Sequence, residues 1–449
     1  MDYNFTEGSI SKKLIRFTLP ILATLILQIL YGAVDLLIVG NFASPGDVSA
    51  VSTGAQFMSA FINLIAGLAT GTTILIAHKI GAKENKDIGK IIGAGIYIFM
   101  IIGVLLTLII GLNGDFFASL INAPPEAFHK TSSYISTLGY GSCFLVAYNI
   151  LGSIFRGLGD SKTPLYTVIL ATIINIVLDL IFVRNSHMGA FGAALATVIA
   201  QFASVVFSLI IIVRMKRNFK FSMGYICYNK KYTKSTITIG LPVAVNAFLV
   251  SLSFTFILGI VNRFGVIVSA GVGVTERLIG FLMLVPLAFG QTMATFVAQN
   301  VGARKHERAK KGLITAIYIS MVAAFSMIIV SLLFGKEMLG VFSKNEEILV
   351  PAFEYLKSYC FDIFFTVFLF TSIGYFNGYG KTKFTMISGL MGALLVRIPL
   401  SYLFSTVSPV SIFLIGLGTP IGTLFQLILS FFYYKHLQKS IGKKQTFTL

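Results

Sequence analysis

The sequence predicts an all-α integral membrane protein with about twelve transmembrane helices, arranged as two parallel six-helix repeats around a central cavity. Three observations carry this reading: an apolar composition, a series of apolar stretches long enough to cross a bilayer, and a motif set that recurs at one fixed offset. Of the 449 residues 56% are hydrophobic and only 12% are charged. Soluble domains carry roughly 25% charged residues, so this chain has too few to keep its surface wet. Its mean hydropathy is +0.86.

A helix needs about 20 apolar residues to cross the hydrocarbon core. Stretches such as Leu14–Val39, Ile91–Leu112, Leu165–Val183, Leu313–Leu333 and Ile412–Tyr434 meet that need. The period-2 alternation of a membrane barrel is absent, which leaves helices as the way to satisfy the backbone in lipid. The spans fall near 14–40, 48–78, 88–113, 128–156, 162–184, 188–214, 234–262, 267–300, 308–335, 346–378, 383–405 and 409–438. The polar segment Met1–Arg16 leads into a long apolar span with no small-residue cleavage site, unlike a signal peptide.

The net charge of +18 is placed unevenly. Most Lys and Arg lie at alternate span ends: Lys12 to Arg16, Lys79 to Lys90, Arg156 and Lys162, Arg214 to Lys234, Arg304 to Lys311, Lys381 and Lys383, and Lys435 to Lys444. This is the positive-inside pattern, and it places both termini and the central loop in the cytoplasm of a cell-membrane protein. It also argues against a nucleic-acid surface. Cys143, Cys227 and Cys360 are too few and too far apart for a disulfide framework or a metal site, and the five His are scattered.

The halves repeat. Ile76-Ala-His-Lys-Ile-Gly-Ala-Lys83 recurs as Val297-Ala-Gln-Asn-Val-Gly-Ala-Arg304, and Phe155-Arg-Gly-Leu-Gly159 as Phe376-Asn-Gly-Tyr-Gly380, both at an offset of 221. Leu19-Pro20 recurs as Leu241-Pro242 at 222. The domains read as a first lobe over 1–213, a cytoplasmic linker over 214–233 and a second lobe over 234–449. Six spans per half is an even number, so both halves share one topology. They are expected to be related by an axis along the membrane normal, an architecture that suits alternating access.

Charges inside the spans need a reason, since each costs about 2.5–3.5 kcal/mol at mid-membrane on insertion scales. Asp35 follows Gln28 and Tyr31 on one face of the first span, and Asn175 and Asp179 share a face of the fifth by i,i+4 spacing. Thr197 and Gln201 share a face of the sixth. The second span carries Ser52, Gln56, Ser59, Asn63 and Thr70, and the fourth adds Asn149 and Ser153. Polar faces on neighbouring spans imply a shared wet cavity, with Gln28, Tyr31, Gln56, Asn63, Asn149, Ser153 and Gln201 as its candidate lining. Two converging carboxylates can carry a proton, or hold Na⁺ with Asn and Thr oxygens as hard ligands. The plainer alternatives are that Asp35 sits near enough to the far interface to be solvated, and that Asp179 caps a local network.

The second half lacks this pair: Asp35 maps to Ile257 and Asp179 to Leu400. Glu276 and Arg277 in the eighth span and Arg397 in the eleventh can form a structural ion pair, or Glu276 can meet a cationic ligand. Asp362 in the tenth span is a similar candidate. Pro20 and Pro242 begin the first span of each half and read either as hinges or as prolines tolerated in first turns. Gly67/Gly71 and Gly89/Gly93 read as close helix packing.

These residues resemble the multidrug and toxic compound extrusion (MATE) family over essentially the whole chain. The resemblance rests on Pro20 with Val34-Asp35-Leu-Leu-Ile-Val-Gly40, on Ala77-His-Lys-Ile-Gly-Ala82 with its repeat Ala298-Gln-Asn-Val-Gly-Ala303, on Phe155-Arg-Gly-Leu-Gly-Asp160-Ser-Lys-Thr-Pro164, and on Asn175–Asp179. It implies a V-shaped secondary antiporter that exports small amphipathic, often cationic drugs in exchange for H⁺ or Na⁺. No cofactor is implied, and the unit would work as a monomer in the bilayer. In the branch that resembles DinF, the cation site comprises two Asp, an Asn and a Thr, which Asp35, Asn175, Asp179 and Thr197 match. The NorM-like branch adds carboxylates in helices 7 and 10. Here the seventh span has none, and Asp362 lies about one turn from Thr366, where that branch would place its acid. The alternatives are a lipid-linked oligosaccharide or lipid flippase of the same superfamily and, more remotely, a membrane prenyltransferase. A flippase calls for cavity cations, whereas these candidates are acids and amides. A prenyltransferase calls for aspartate-rich motifs, which are absent.

Overall fold

A computed structural model describes residues 4–214 and 219–446; residues 1–3 and 447–449, and residues 215–218 of the expected linker, lie outside the described residues. All regular structure among the described residues is helical. The first half runs through α1 (Ile10–Phe42), α2 (Pro45–Gly81), α3 (Asn85–Leu106), the short α4 (Gly114–Leu120), α5 (Phe128–Tyr140), α6 (Ser142–Gly157), α7 (Lys162–Asp179) and α8 (Gly189–Arg214). The second continues with α9 (Lys230–Val261), α10 (Val266–Leu282), α11 (Leu284–Gly302), α12 (His306–Gly340), α13 (Glu346–Gly378), α14 (Thr382–Met391), α15 (Ile398–Ser405) and α16 (Ile412–Thr446).

Ten helices are long and apolar enough to cross a membrane, and two bent pairs bring the number to twelve among the described residues. The expected spans appear in order, with two differences. The fourth is broken at Gly141, between α5 and α6, by a bend of 51°, and the eighth at Met283, between α10 and α11, by 40°. Gly139 and Gly141 mark the first break and Pro286, in the first turn of α11, the second, but hydropathy alone runs through both. Wider π-helical turns occur at Thr107–Gly111, Leu180–Asn185 and Gly392–Arg397. Such turns are often found at functional sites, and the second begins directly after Asp179.

The chain folds as two compact units: Met1–Ala244 with Ala298–His306, and Val245–Val297 with Glu307–Leu449. The division thus falls within α9 and at the end of α11. In the first unit the glycine pairs bring backbones together. A Cβ on Gly67 or Gly71 would strike Ala244 or Thr236 of α9, and one on Gly89 or Gly93 would strike the main chain at Lys220 or Tyr225. The core of this unit is aliphatic and aromatic, with Ile91, Phe99, Ile135 and Phe155 fully buried. In the second unit, Leu339, Leu356, Ile363 and Val367 play that part. Large apolar side chains such as Leu37, Leu112, Leu333 and Leu395 stay more than 60% exposed. A water-facing surface rarely holds so many, whereas a lipid-facing one requires them. The chain is a multi-pass membrane protein.

At one end of the first unit, Asp47 ties three helices together. It completes a capping box with Ser44 at the start of α2. Its Oδ2 accepts from Lys130 of α5 at 2.7 Å, and its Oδ1 accepts the N–H of Ala190 in α8 at 3.1 Å. The Asp47 carboxylate accepts the Ser44 and Ala190 N–H groups, and hydrogen bonds to a charged group contribute about 1.5–3 kcal/mol, while a half-exposed ion pair contributes only about 0.2–1 kcal/mol. Asp47→Ala is therefore expected to lower the melting temperature in detergent more than Lys130→Met does. Equal shifts would mean that the ion pair, not the bonds to Ser44 and Ala190, carries the junction.

Candidate functional site

The polar residues of the first half converge where α1, α7 and α8 pack against one another. Asp35 is 5% exposed on α1, and Asn175 and Asp179 are fully buried at the end of α7. The i,i+4 spacing sets the amide and the carboxylate on the same face. The carboxylates of Asp35 and Asp179 face each other, and Asn175 faces Asp35. Thr197 of α8 points its hydroxyl at Asp35 Oδ2 from 3.4 Å, longer than a hydroxyl bond of ordinary strength. Tyr31, one turn before Asp35, lies beside both acids.

Buried polar atoms are nearly always hydrogen-bonded, and leaving one unpaired costs about 1–3 kcal/mol. Seven such atoms gather here. Among the described residues, Asp35 Oδ1, both Asp179 oxygens, both amide atoms of Asn175, the Tyr31 hydroxyl and Gln201 Oε1 are buried without a hydrogen bond. Carboxylate, amide and hydroxyl oxygens gathered here, with few donors to satisfy them, form a ligand set for a proton or a hard cation. The whole cluster lies within the first unit.

Sequence reasoning missed Tyr134 of α5, which is buried beside both carboxylates. The repeat carried a signal, since position 134 plus the 221 offset is Tyr355, equally buried and likewise turned to an acid, Glu276. The remaining candidates separate. Gln28 is exposed and reaches the Tyr148 hydroxyl at 3.4 Å. Gln56 and Asn63 are exposed on α2. Asn149 donates to the Leu145 carbonyl of its own helix. Ser153 is fully buried and accepts from Arg156 at 2.9 Å, so its hydroxyl is spent within the packing.

In the second unit the expected ion pair does not form: among the described residues, no salt bridge joins Glu276 to Arg277 or Arg397. Tyr355 and Tyr359 of α13 donate to Glu276 at 3.3 and 3.1 Å. Arg397, the last residue of its π-helical turn, donates to Ser253 at 3.0 Å and lies over the Phe254 ring. Two tyrosines thus occupy the near oxygen of Glu276, and α9 claims the guanidinium. Asp362 accepts from Thr423 at 2.6 Å and from Thr366 at 3.2 Å. Unlike Asp179, which accepts no hydrogen bond among the described residues, Glu276 and Asp362 are supplied with donors. Pro20 lies three turns into α1, which continues through it, rather than in a first turn; Thr24 donates its hydroxyl to the Pro20 carbonyl at 2.8 Å.

The MatE family profile matches residues 20–181 and matches again at 242–403. The chain belongs to the MatE family. The two matches start at Pro20 and Pro242, so the repeat in this sequence is the family's own unit used twice. Among curated relatives, the "Probable multidrug resistance protein YoeA" of Bacillus subtilis (strain 168) is 25% identical across 98% of this chain and 96% of its own. The "Multidrug export protein MepA" of Staphylococcus aureus (strain N315) is 24% identical across 88% of each. Two solved structures share the fold at 21% identity. One is an outward-facing multidrug resistance MATE family transporter of the MOP superfamily, with a TM-score of 0.91 over 97% of this chain and 98% of its own. The other is a MOP superfamily transporter from Pyrococcus furiosus Vc1, with a TM-score of 0.92 over 98% of each chain. As a MatE protein, the chain is a membrane transporter of the MATE family.

Proposed function

We propose that this transporter is a secondary antiporter of the DinF-like branch, exporting amphipathic, often cationic compounds in exchange for H⁺ or Na⁺ by alternating access. The observation that carries the reading is the pair Asp35 and Asp179, buried face to face with three of their four oxygens lacking a hydrogen bond among the described residues. Two like charges so placed favour a bound cation or proton over an empty ionised site. With both ionised, the cluster favours cationic cargo nearby. When H⁺ or Na⁺ binds, Asp35, Asp179, Asn175 and Thr197 share its charge, the attraction for the cargo falls, and α1 is free to repack about Pro20, which supplies no backbone N–H to its helix. Both termini are assigned to the cytoplasm by the charge pattern.

The test is efflux of ethidium from proteoliposomes under an imposed pH gradient or an imposed Na⁺ gradient. Transport under one of them names the ion. Transport under neither would overturn the reading, and a lipid-scrambling assay would then test a flippase. Glu276→Gln serves as the contrast. It keeps an oxygen acceptor for Tyr355 and Tyr359, so efflux is expected to change by less than about twofold, or under ~0.5 kcal/mol. A loss as large as that of Asp35→Asn would place coupling in the second unit as well.

A further inference from the structure

The opening residues of the chain grip the place where the two matched motifs meet. The motif Ile76–Lys83 spans the end of α2, and its repeat Val297–Arg304 the end of α11. They run backbone on backbone: a Cβ on Gly81 would lie 1.8 Å from the Gln299 carbonyl oxygen, and one on Gly302 would lie 2.0 Å from that of His78. Positions 81 and 302 are repeat mates, as are 78 and 299, so the contact is a symmetric crossing. Ile74, Ala77 and Ala298 fill it as a small apolar core.

The segment Asn4–Thr6 lies across this crossing. Phe5 is fully buried and meets the Phe17 ring edge to face at 5.0 Å. Its N–H donates to Gln299 Oε1 at 3.0 Å, and its carbonyl accepts from Asn300 Nδ2 at 3.4 Å. The Thr6 carbonyl accepts from Lys305 at 2.9 Å, and the Asn4 carbonyl from Lys13. The gripping groups are peculiar to the second copy of the motif. Gln299, Asn300 and Lys305 stand where the first copy has His78, Lys79 and Glu84. The repeat has diverged at the positions that hold the segment, while the glycines of the crossing are shared.

We propose that the segment around Phe5 is a strap that keeps this crossing shut and must be released before the ends of α2 and α11 can part. That they part at all rests on the exchange reading above; the strap's effect on the crossing does not. By the charge pattern, this is the cytoplasmic side.

The test uses the full chain in proteoliposomes, with Cys143, Cys227 and Cys360 replaced by serine and Ala77→Cys as a reporter in the crossing. The readout is the rate of alkylation by N-ethylmaleimide, followed by mass spectrometry. Phe5→Ala is expected to raise the rate at least fivefold. Lys305→Ala, which removes one bond to the Thr6 carbonyl, is expected to raise it about twofold, and it decides the matter if Phe5→Ala fails to fold. Unchanged rates in folded variants would overturn the strap. A rate that responds to the variants but not to an imposed H⁺ or Na⁺ gradient would support the strap and overturn the exchange reading. A rate that responds to the gradient but not to the variants would do the reverse.

Discussion

Asp35→Asn and Asp179→Asn are each expected to abolish gradient-driven efflux, lowering its rate by at least about tenfold, the factor that ~1.4 kcal/mol represents. An amide cannot take up the coupling proton, and it offers a cation one neutral oxygen in place of a carboxylate. The fold should survive, because both Asp179 oxygens and Asp35 Oδ1 make no hydrogen bond that the change would break, and because the substitution removes like-charge repulsion between two buried groups. A second readout separates coupling from damage. A ligand at 100 times its Kd stabilises the folded state by about 2.7 kcal/mol, so the coupling ion is expected to raise the melting temperature of the parent. Neither variant should show that rise. If both transported like the parent, the acid pair would be a packing feature and the coupling site would lie elsewhere. If both failed to transport yet kept the ion-dependent rise, the pair would serve cargo rather than coupling.

Gly81→Ala is expected to be the most damaging single-methyl change at the crossing of α2 and α11. Its Cβ would sit 1.8 Å from a backbone oxygen, where no side-chain rotation can relieve the clash. Overpacking of this kind costs about 1–3 kcal/mol, occasionally more, and each kcal/mol lowers the melting temperature by ~2–4 °C in a unit of 150–250 residues. Gly302→Ala, its repeat mate, should behave alike. Gly273 in α10 is the control, since a Cβ there meets nothing within 4 Å. Alanine at that position should be neutral, or stabilising by about 0.5–1 kcal/mol through its better helix propensity. A thermal melt of the three variants checks the ranking. Equal melting temperatures would mean that the two motifs do not hold this contact in the membrane.

The residues that gather around Asp35 were legible in the sequence in part. Asp35, Asn175, Asp179 and Thr197 stand out because a charge or an amide in an apolar span is costly and therefore conspicuous. Tyr134 does not stand out, since a tyrosine in a membrane helix is ordinary. Ser153 and Gln201 looked equivalent in sequence. Packing then spent the Ser153 hydroxyl on Arg156 and left Gln201 Oε1 buried without a hydrogen bond.

The membrane class, the order of the spans and the internal repeat are properties of the chain read along its length. Hydropathy and motif spacing depend on local composition alone, so sequence determined them by itself. The spans meet that test because a bilayer imposes one length on every helix that crosses it. What only the tertiary structure decided concerns how the helices are turned and where they bend. It set the angles of the bends at Gly141 and Met283, the π-helical turn after Asp179, the tyrosine pair that takes Glu276 from Arg397, and the crossing that Phe5 covers. Each depends on which faces of distant helices come within a few ångströms, and a rotation of one residue, about 100° on a helix, would exchange one set of partners for another.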